Sequence, residues 1–394
     1  MIMSYQFLKP YTFRSGVTVK NRIAIPPMTE GMSLENGEVS TDELNYFNIH
    51  TGGAGMFITP VANVNALGKG FEGELSVADD KFIPGLAKLA ATIKQNGTKA
   101  ILQIFSAGRM TNSRILRGHQ PVSASAVAAL RPHAETPRAL SEDEIEQTIT
   151  DFGAATKRAI LAGFDGVELH GANTYLLQQF FSPHSNRRED QWGGSLENRM
   201  RFPIRVIEAA QQAIADTATS PFLLGYRLSP EEIEEPGIRI EDTLKFVSKL
   251  NDMKLDYLHI SMGNVWRPSL NNHDDKEPLI TKIQRVSSNT PLISVGNVNT
   301  PADAEKVIEA GITFAAIGRE SIREPHWVQK VEAGTEQSIR YSLSLADLEE
   351  LGIKTPFFEF LKKMNDAGAD QKFDVNDSQT KAVDTDKIDV AFRK

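Results

Sequence analysis

Eight short apolar runs recur along this chain, and most are followed by a longer stretch of helical pattern. The runs are Ile23–Met28, Met56–Val61, Lys99–Phe105, Gly166–His170, Phe222–Leu228, Tyr257–Ser261, Pro291–Gly296 and Phe314–Gly318. They are rich in Val, Ile, Leu and Phe without polar alternation, the pattern of parallel strands buried on both faces. The helical stretches carry their own start and stop signals. Ser141 and Glu144 have capping-box spacing before a helix over Ile145–Ala162, and Ser195 can cap Leu196–Ala215. Thr300 with Pro301 opens Ala302–Ala310, which Gly311 closes, and Gly97 and Gly163 stop the helices before the third and fourth strands. Eight strand–helix repeats over about 320 residues predict an α/β fold, a (β/α)8 TIM barrel with insertions. The alternative is an open doubly wound sheet. It calls for a glycine-rich dinucleotide turn after the first strand, and Pro26-Pro27-Met28 is not one.

The barrel is expected to fill residues 1–340. Past Arg340 the pattern changes, and Leu345–Gly352 and Pro356–Met364 read as two short helices in an extension over residues 341–368. Its Phe357, Phe358, Phe360 and Leu361 would form an apolar patch if exposed, so the extension is expected to pack on the barrel. Residues 369–394 are polar and charged and read as a mobile tail.

Composition narrows the function. A net charge of -8 gives no basic face for nucleic acid. No window approaches the roughly 18 uninterrupted apolar residues of a membrane span. The N-terminus lacks the basic and apolar regions of a secretory signal, so a cytoplasmic location is expected. The absence of cysteine excludes disulfides, thiolate zinc sites, iron–sulfur clusters and a cysteine nucleophile. A homo-oligomer is left open.

In a TIM barrel the active site lies at the carboxyl ends of the strands. That rule selects Pro27, Met28 and Thr29 after the first strand, Gln103 and Phe105 on the third, and His170 at the end of the fourth, with Asn173 and Tyr175 just beyond. It also selects Arg227 within the fifth, Gly296 and Asn297 after the seventh, and Gly318 and Arg319 after the eighth. The last two pairs suggest a phosphate site, with glycines that admit close backbone approach and an arginine fork. Glycines that only turn the chain, with Arg319 paired to a surface acid, are an equal alternative. Arg227 interrupts an apolar strand, which is costly unless it pairs with a group such as Glu168 or faces a polar ligand. Gln103 interrupts its strand in the same way. Singly, His170 reads as a satisfied core histidine, Asn173 as a turn residue and Tyr175 as packing. Their joint placement after a barrel strand points instead to a site that holds a carbonyl oxygen and delivers a proton. No HExxH motif and no second ligand cluster suggests a metal. Gly68-Lys69-Gly70-Phe71-Glu72-Gly73 matches GxGxxG, but no helix opens on it, and it reads as a surface loop.

The segments KNRIAIPPMT, ILQIFSAGR, DGVELHGANTYLLQQFFSPHSNRREDQWGGSLENRMRF, YRLSPEE, SVGNV and AIGR, in this order, resemble the old yellow enzyme family over nearly all of residues 5–335. That family comprises FMN-dependent ene-reductases on a (β/α)8 barrel. The resemblance implies that Pro27, Met28 and Thr29 lie along the flavin, with Thr29 bonding its O4. It implies that Gln103 binds the pyrimidine edge, Arg227 sits by N1 and O2, and Asn297, Gly318 and Arg319, next to Gly296, hold the phosphate. His170 and Asn173 would bind the substrate carbonyl, and Tyr175 would donate the proton. Some bacterial branches carry cysteine at the position of Thr29, and the position of Phe105 is often tryptophan, which shapes substrate access. Larger relatives that reduce dienoyl thioesters carry an iron–sulfur cluster, for which this chain has no cysteine.

The expected cycle takes electrons from NADH or NADPH through FMN to the C=C bond of an enone-type, α,β-unsaturated carbonyl substrate. The alternatives are an NAD(P)H oxidase or quinone reductase using the same flavin, and a flavin-free phosphate-binding barrel lyase or isomerase.

Overall fold

The computed structural model describes residues 5–359 and residue 361. Each apolar run forms a strand: β1 (Ile23–Ile25), β2 (Met56–Asn63), β3 (Lys99–Phe105), β4 (Gly166–Gly171), β5 (Leu223–Leu228), β6 (Tyr257–Ile260), β7 (Leu292–Val295) and β8 (Phe314–Ala316). All pair in parallel with their chain neighbours, and β8 returns to β1, closing the barrel. Strand β1 is shorter than its apolar run because Pro26 and Pro27 have no N–H to give the ladder. Strand β7 ends before Gly296, whose φ of 128° turns the chain away.

The helices are α1 (Thr41–His50), α2 (Ile83–Lys94), α3 (Glu142–Leu161), α4 (Leu176–Phe181), α5 (Leu196–Thr217), α6 (Ile240–Asn251), α7 (Leu279–Val286), α8 (Pro301–Glu309), α9 (Arg319–Arg323) and α10 (Trp327–Glu332). Their expected signals are present. The Ser141 hydroxyl accepts from the Glu144 N–H at 3.3 Å, and the Glu144 carboxylate accepts from the Ser141 N–H at 2.9 Å. Thr300 and Asp303 form the equivalent box on α8. No described helix is long and apolar enough to cross a membrane.

Two apolar zones hold the barrel. Outward strand residues such as Leu102, Val167, Leu224 and Leu258 pack under the helices. Inward residues Ile101, Leu223, Tyr257, Ile293 and Phe314 fill the lower interior. A hairpin, Tyr11–Thr12 with Thr18–Val19, closes the floor, and its Phe13 stacks on Phe314 at 5.2 Å.

Leu345–Asp347 forms a single 3-10 turn where a helix to Gly352 was expected; Gly352 has a φ of 63°, which α-helix does not accommodate. Residues 355–359 are helical, and Phe357 is buried edge-on to Tyr46 at 5.4 Å. The end of the second expected helix, with Phe360, and the polar tail over 369–394 lie outside the described residues.

Candidate active site

Two residues above the apolar floor, the same inward faces turn polar. Gln103 on β3, Glu168 on β4, Arg227 on β5 and His259 on β6 are all buried. Pairing in register puts Gln103 beside Glu168, and Arg227 between His170 and His259. The Gln103 amide donates through Nε2 to Glu168 Oε1 at 2.6 Å, and His259 Nδ1 lies 3.0 Å from Glu168 Oε2.

Burial alone would raise the Glu168 pKa. The His259 ring, the Arg227 guanidinium and the Gln103 amide reverse this and hold it below the ordinary carboxylate value. Burial, opposed by Glu168 and aided by Arg227, keeps His259 below the usual histidine range. A neutral His259 therefore donates through Nδ1–H to Glu168. Three polar atoms in this layer are buried without a hydrogen-bond partner among the described residues: Gln103 Oε1, Arg227 Nε and His259 Nε2. Such atoms carry a cost of about 1–3 kcal/mol each, and native proteins keep few of them. Glu168, the partner weighed for Arg227, spends its oxygens on Gln103 and His259 and acts on Arg227 through charge.

Level with Arg227, near the end of β4, is His170, and the turn that follows the strand continues from it. His170 is buried, and its Nδ1 faces the Ala172 N–H at 3.3 Å, which leaves the ring proton on Nε2. Burial, then Arg227 and His259, push its pKa well below the ordinary value, so the ring is neutral. Asn173 has a φ of 56°, a left-handed turn that asparagine tolerates. Its Oδ1 accepts from Ser261 Oγ at 2.8 Å, and its N–H donates to Ser229 Oγ at 3.0 Å. With its acceptor tied down, the amide offers its NH2. Tyr175, half-buried at the start of α4, meets Phe105 edge-on at 4.9 Å and His170 at 5.0 Å. Burial, then the nearby Glu74, push its hydroxyl up to about 12 against the opposing charges of Arg131 and Arg227.

The GxGxxG loop lies at the surface and no α-helix opens on it, as expected, but it is anchored toward the site. Phe71, like Tyr175, packs on the cluster of Val61, Phe105 and Ala107. Buried Glu74 holds the loop there by accepting the N–H groups of Gly70 and Phe71 at 2.9 and 3.1 Å. Across the mouth, buried Arg109 pins the loop that bears Arg131 by donating to the Val127 and Ala128 carbonyls.

The remaining expected residues gather on the other side. Pro27, Met28 and Thr29 are half-buried beyond β1. A Cβ placed on Gly318 would lie 3.4 Å from Pro26 Cγ and 3.7 Å from Met28 Sδ, so the ends of β1 and β8 meet. A Cβ on Gly296 would lie 2.7 Å from backbone atoms of Met262, Gly263 and Asn264, so only glycine fits there. Asn297, with a φ of 53°, accepts through Oδ1 from Arg319 Nη2 at 2.8 Å. That contact joins the loops after β7 and β8. Burial, then Arg323, lower the Arg319 pKa to about 10.

His259 and the serines Ser229 and Ser261 were missed by the sequence reading. His259 could have been found by the signal that picked out Gln103, a polar residue breaking an apolar run two positions after an inward one.

The chain matches the NADH:flavin oxidoreductase / NADH oxidase family over residues 6–338. It is 46% identical over 363 residues to an NADH:acrylate oxidoreductase of Vibrio harveyi, a match covering 91% of this chain and 36% of that protein. It is 42% identical to an NADH:fumarate oxidoreductase of Klebsiella pneumoniae, again 91% of this chain but 39% of the relative. The chain therefore spans little more than a third of these two relatives. The probable NADH-dependent flavin oxidoreductase YqiG of Bacillus subtilis is matched nearly end to end, 43% identical over 89% of this chain and 94% of that one. Among solved structures, morphinone reductase in complex with tetrahydroNAD superposes with a TM-score of 0.72 at 25% identity, over 84% of this chain and 92% of that one. An old yellow enzyme homologue from Zymomonas mobilis gives the same score and identity over 84% and 93%. The chain belongs to the NADH:flavin oxidoreductase / NADH oxidase family, the old yellow enzyme family.

Proposed function

We propose that this enzyme reduces the C=C bond of an α,β-unsaturated carbonyl compound in the pocket above β3, β4 and β5. The observation that carries the reading is three neutral donors on one six-residue turn: His170 Nε2–H, the Asn173 amide and the Tyr175 hydroxyl. Acrylate and fumarate, in the names of two relatives, are both α,β-unsaturated carboxylates.

The chain's residues fit FMN. Among the described residues, Gln103 Oε1 is a buried acceptor without a hydrogen-bond partner and Arg227 Nε a buried donor without one, as a ring with an imide edge requires. Gly296, Asn297, Gly318 and Arg319 supply the backbone approach and the guanidinium that a phosphate needs. Pro27, Met28 and Thr29 would lie along the ring. When bound, FMN carries the hydride between nicotinamide and substrate.

His170 and Asn173 bind the substrate oxygen and stabilise negative charge as it develops there. Both are fixed beforehand, His170 by the Ala172 N–H and Asn173 by Ser261 and Ser229, so little reorganisation is needed. Tyr175 delivers a proton to the α-carbon. Phe105, Phe71 and Val61 give the pocket an apolar wall that excludes water.

Stopped-flow kinetics of the two half-reactions test this. Tyr175→Phe is expected to slow C=C reduction by roughly 10²–10⁴-fold, the usual span for a general acid, and to leave flavin reduction by nicotinamide nearly unchanged. Equal losses in both steps would remove Tyr175 as the proton donor. With Tyr175 pushed up to about 12 and His170 well below its usual value, neither group changes charge around neutrality. The wild-type C=C step is therefore expected to be flat from about pH 7 to 9. A relative named NADH oxidase, from Thermoanaerobacter brockii, is 36% identical over 337 residues. Turnover on oxygen without an alkene, at a rate matching the best enone, would favour oxidase activity.

A further inference from the structure

We propose that Glu168 is a positioning residue: together with His259 it fixes which end of the Gln103 amide faces the cofactor, and so which ring edge the site accepts. The inference rests on the reading of Gln103 as the residue that meets the flavin pyrimidine edge.

A glutamine amide is nearly symmetric in shape, with a donor and an acceptor that exchange places when the group flips. Something must choose between the two orientations. Here the neighbour is a carboxylate, which when ionised can only accept. Glu168 Oε1 lies 2.6 Å from Gln103, so the amide must turn Nε2 toward it, and Oε1 is committed to the opposite side. There Oε1 is buried with no hydrogen-bond partner among the described residues. Only an incoming donor satisfies it, and the imide N–H of a flavin is one. An amide facing the other way would meet that N–H with a second donor.

Glu168 is itself held. Its other oxygen faces His259 Nδ1 at 3.0 Å, and the register sets it level with Gly225 on β5. A Cβ on Gly225 would fall 2.1 Å from the Tyr257 ring, so the strand leaves room there for the tyrosine and no more. Arg227 supplies the balancing positive charge from the same layer. The groups facing Glu168 are thus Gln103, His259, Tyr257 and Arg227. None of its hydrogen bonds would go to substrate or flavin, so its effect must travel through Gln103.

A double-mutant cycle tests this without turnover. Apoprotein of wild type, Gln103→Leu, Glu168→Gln and the double variant is titrated with FMN by quenching of flavin fluorescence. Gln103→Leu is expected to weaken FMN binding about 10–100-fold, the range for a lost hydrogen bond to a buried group. Glu168→Gln keeps the volume but can donate or accept, so it no longer selects one amide orientation. It is expected to weaken binding about tenfold in the wild-type background and less than about twofold when residue 103 is leucine. It also removes a negative charge near the flavin, and should favour the reduced cofactor about tenfold, an upward shift of about 30 mV for a two-electron couple.

Independent, additive losses would overturn the positioning role while leaving Gln103 in place. An unchanged affinity in Gln103→Leu would overturn the reading of Gln103 itself. If Glu168→Gln apoprotein does not fold, His259→Asn releases the other end of the carboxylate. The same pattern is expected at smaller amplitude, and additivity with Gln103→Leu again refutes the proposal.

Discussion

The floor and the mouth of the barrel are built from the same strands, two residues apart, by opposite rules. On β3 the inward face changes from Ile101 to Gln103, on β6 from Tyr257 to His259, and on β5 Leu223 gives way through Gly225 to Arg227. The floor is apolar and closed from below by Phe13 and its hairpin. The mouth holds a carboxylate, a guanidinium, an imidazole and an amide, three of them with a buried polar atom that none of the described residues satisfies. The floor is packed by its own side chains and leaves only the Tyr257 hydroxyl, at its upper edge facing Glu168, without a hydrogen-bond partner among the described residues, whereas the mouth leaves three such groups for a ligand to satisfy. Stability and function are therefore expected to separate along the barrel axis, over one turn of side chains.

The largest expected effect lies in the floor. Phe314 is fully buried between Phe13, stacked at 5.2 Å, and Tyr11, edge-on at 5.3 Å. Phe314→Ala should cost about 3–5 kcal/mol, because the rings around it cannot collapse into the space. Denaturant unfolding of the apoprotein measures this. The folded fraction should still bind FMN within about threefold of wild type, a difference of under about 1 kcal/mol. A large loss of FMN affinity would show that the floor shapes the mouth and would break the separation.

Next comes Arg227. Arg227→Met replaces a buried cation, one of whose donors is unpaired, with an apolar chain of similar length. FMN affinity is expected to fall about 10–100-fold, as for loss of a charged hydrogen bond. Apoprotein stability should change by less than it does in Phe314→Ala, since Glu168 keeps both of its hydrogen bonds. Removing this cation also removes a charge that holds His259 and His170 below their usual range, so both should take a proton more readily. Histidine NMR titration reads that rise directly. A variant that loses stability like Phe314→Ala yet keeps FMN would make Arg227 a structural ion, and the mouth no different in kind from the floor.

The contrast also explains what could be read from sequence. Strands buried on both faces leave unbroken apolar runs, so all eight were legible, although several ends moved: the first stops at Ile25 before Pro26, the second runs on to Asn63, the seventh stops before Gly296 and the eighth stops at Ala316. Gln103 and Arg227 were legible because each breaks such a run. His259 does the same in Asp256-Tyr257-Leu258-His259-Ile260, but a lone histidine in an apolar strand is usually core, and only contact with Glu168 gives it a task. The loop from Gly68 to Gly73 lies at the surface as expected, but its anchoring was not legible, for a different reason. It is held by Phe71 packing on the Val61, Phe105 and Ala107 cluster and by Glu74 binding its N–H groups, contacts that no local pattern encodes. Arg109 was likewise invisible: its role is to hold two carbonyls about twenty residues downstream.

The finest test of the separation uses a single strand. Ile101 and Gln103 share β3 and its inward face, one in each layer. Ile101→Val removes one methylene from a site with no exposure, and should cost about 0.5–1.5 kcal/mol in denaturant unfolding. The backbone of β3 is held on both sides by β2 and β4, so the missing group should be absorbed by neighbouring side chains rather than by a strand shift. Gln103 would then keep its 2.6 Å contact with Glu168, and FMN affinity should move less than about twofold, or roughly 0.4 kcal/mol. A larger change would mean that the layers are mechanically joined, and that the floor sets the geometry of the amide as well as the stability of the barrel.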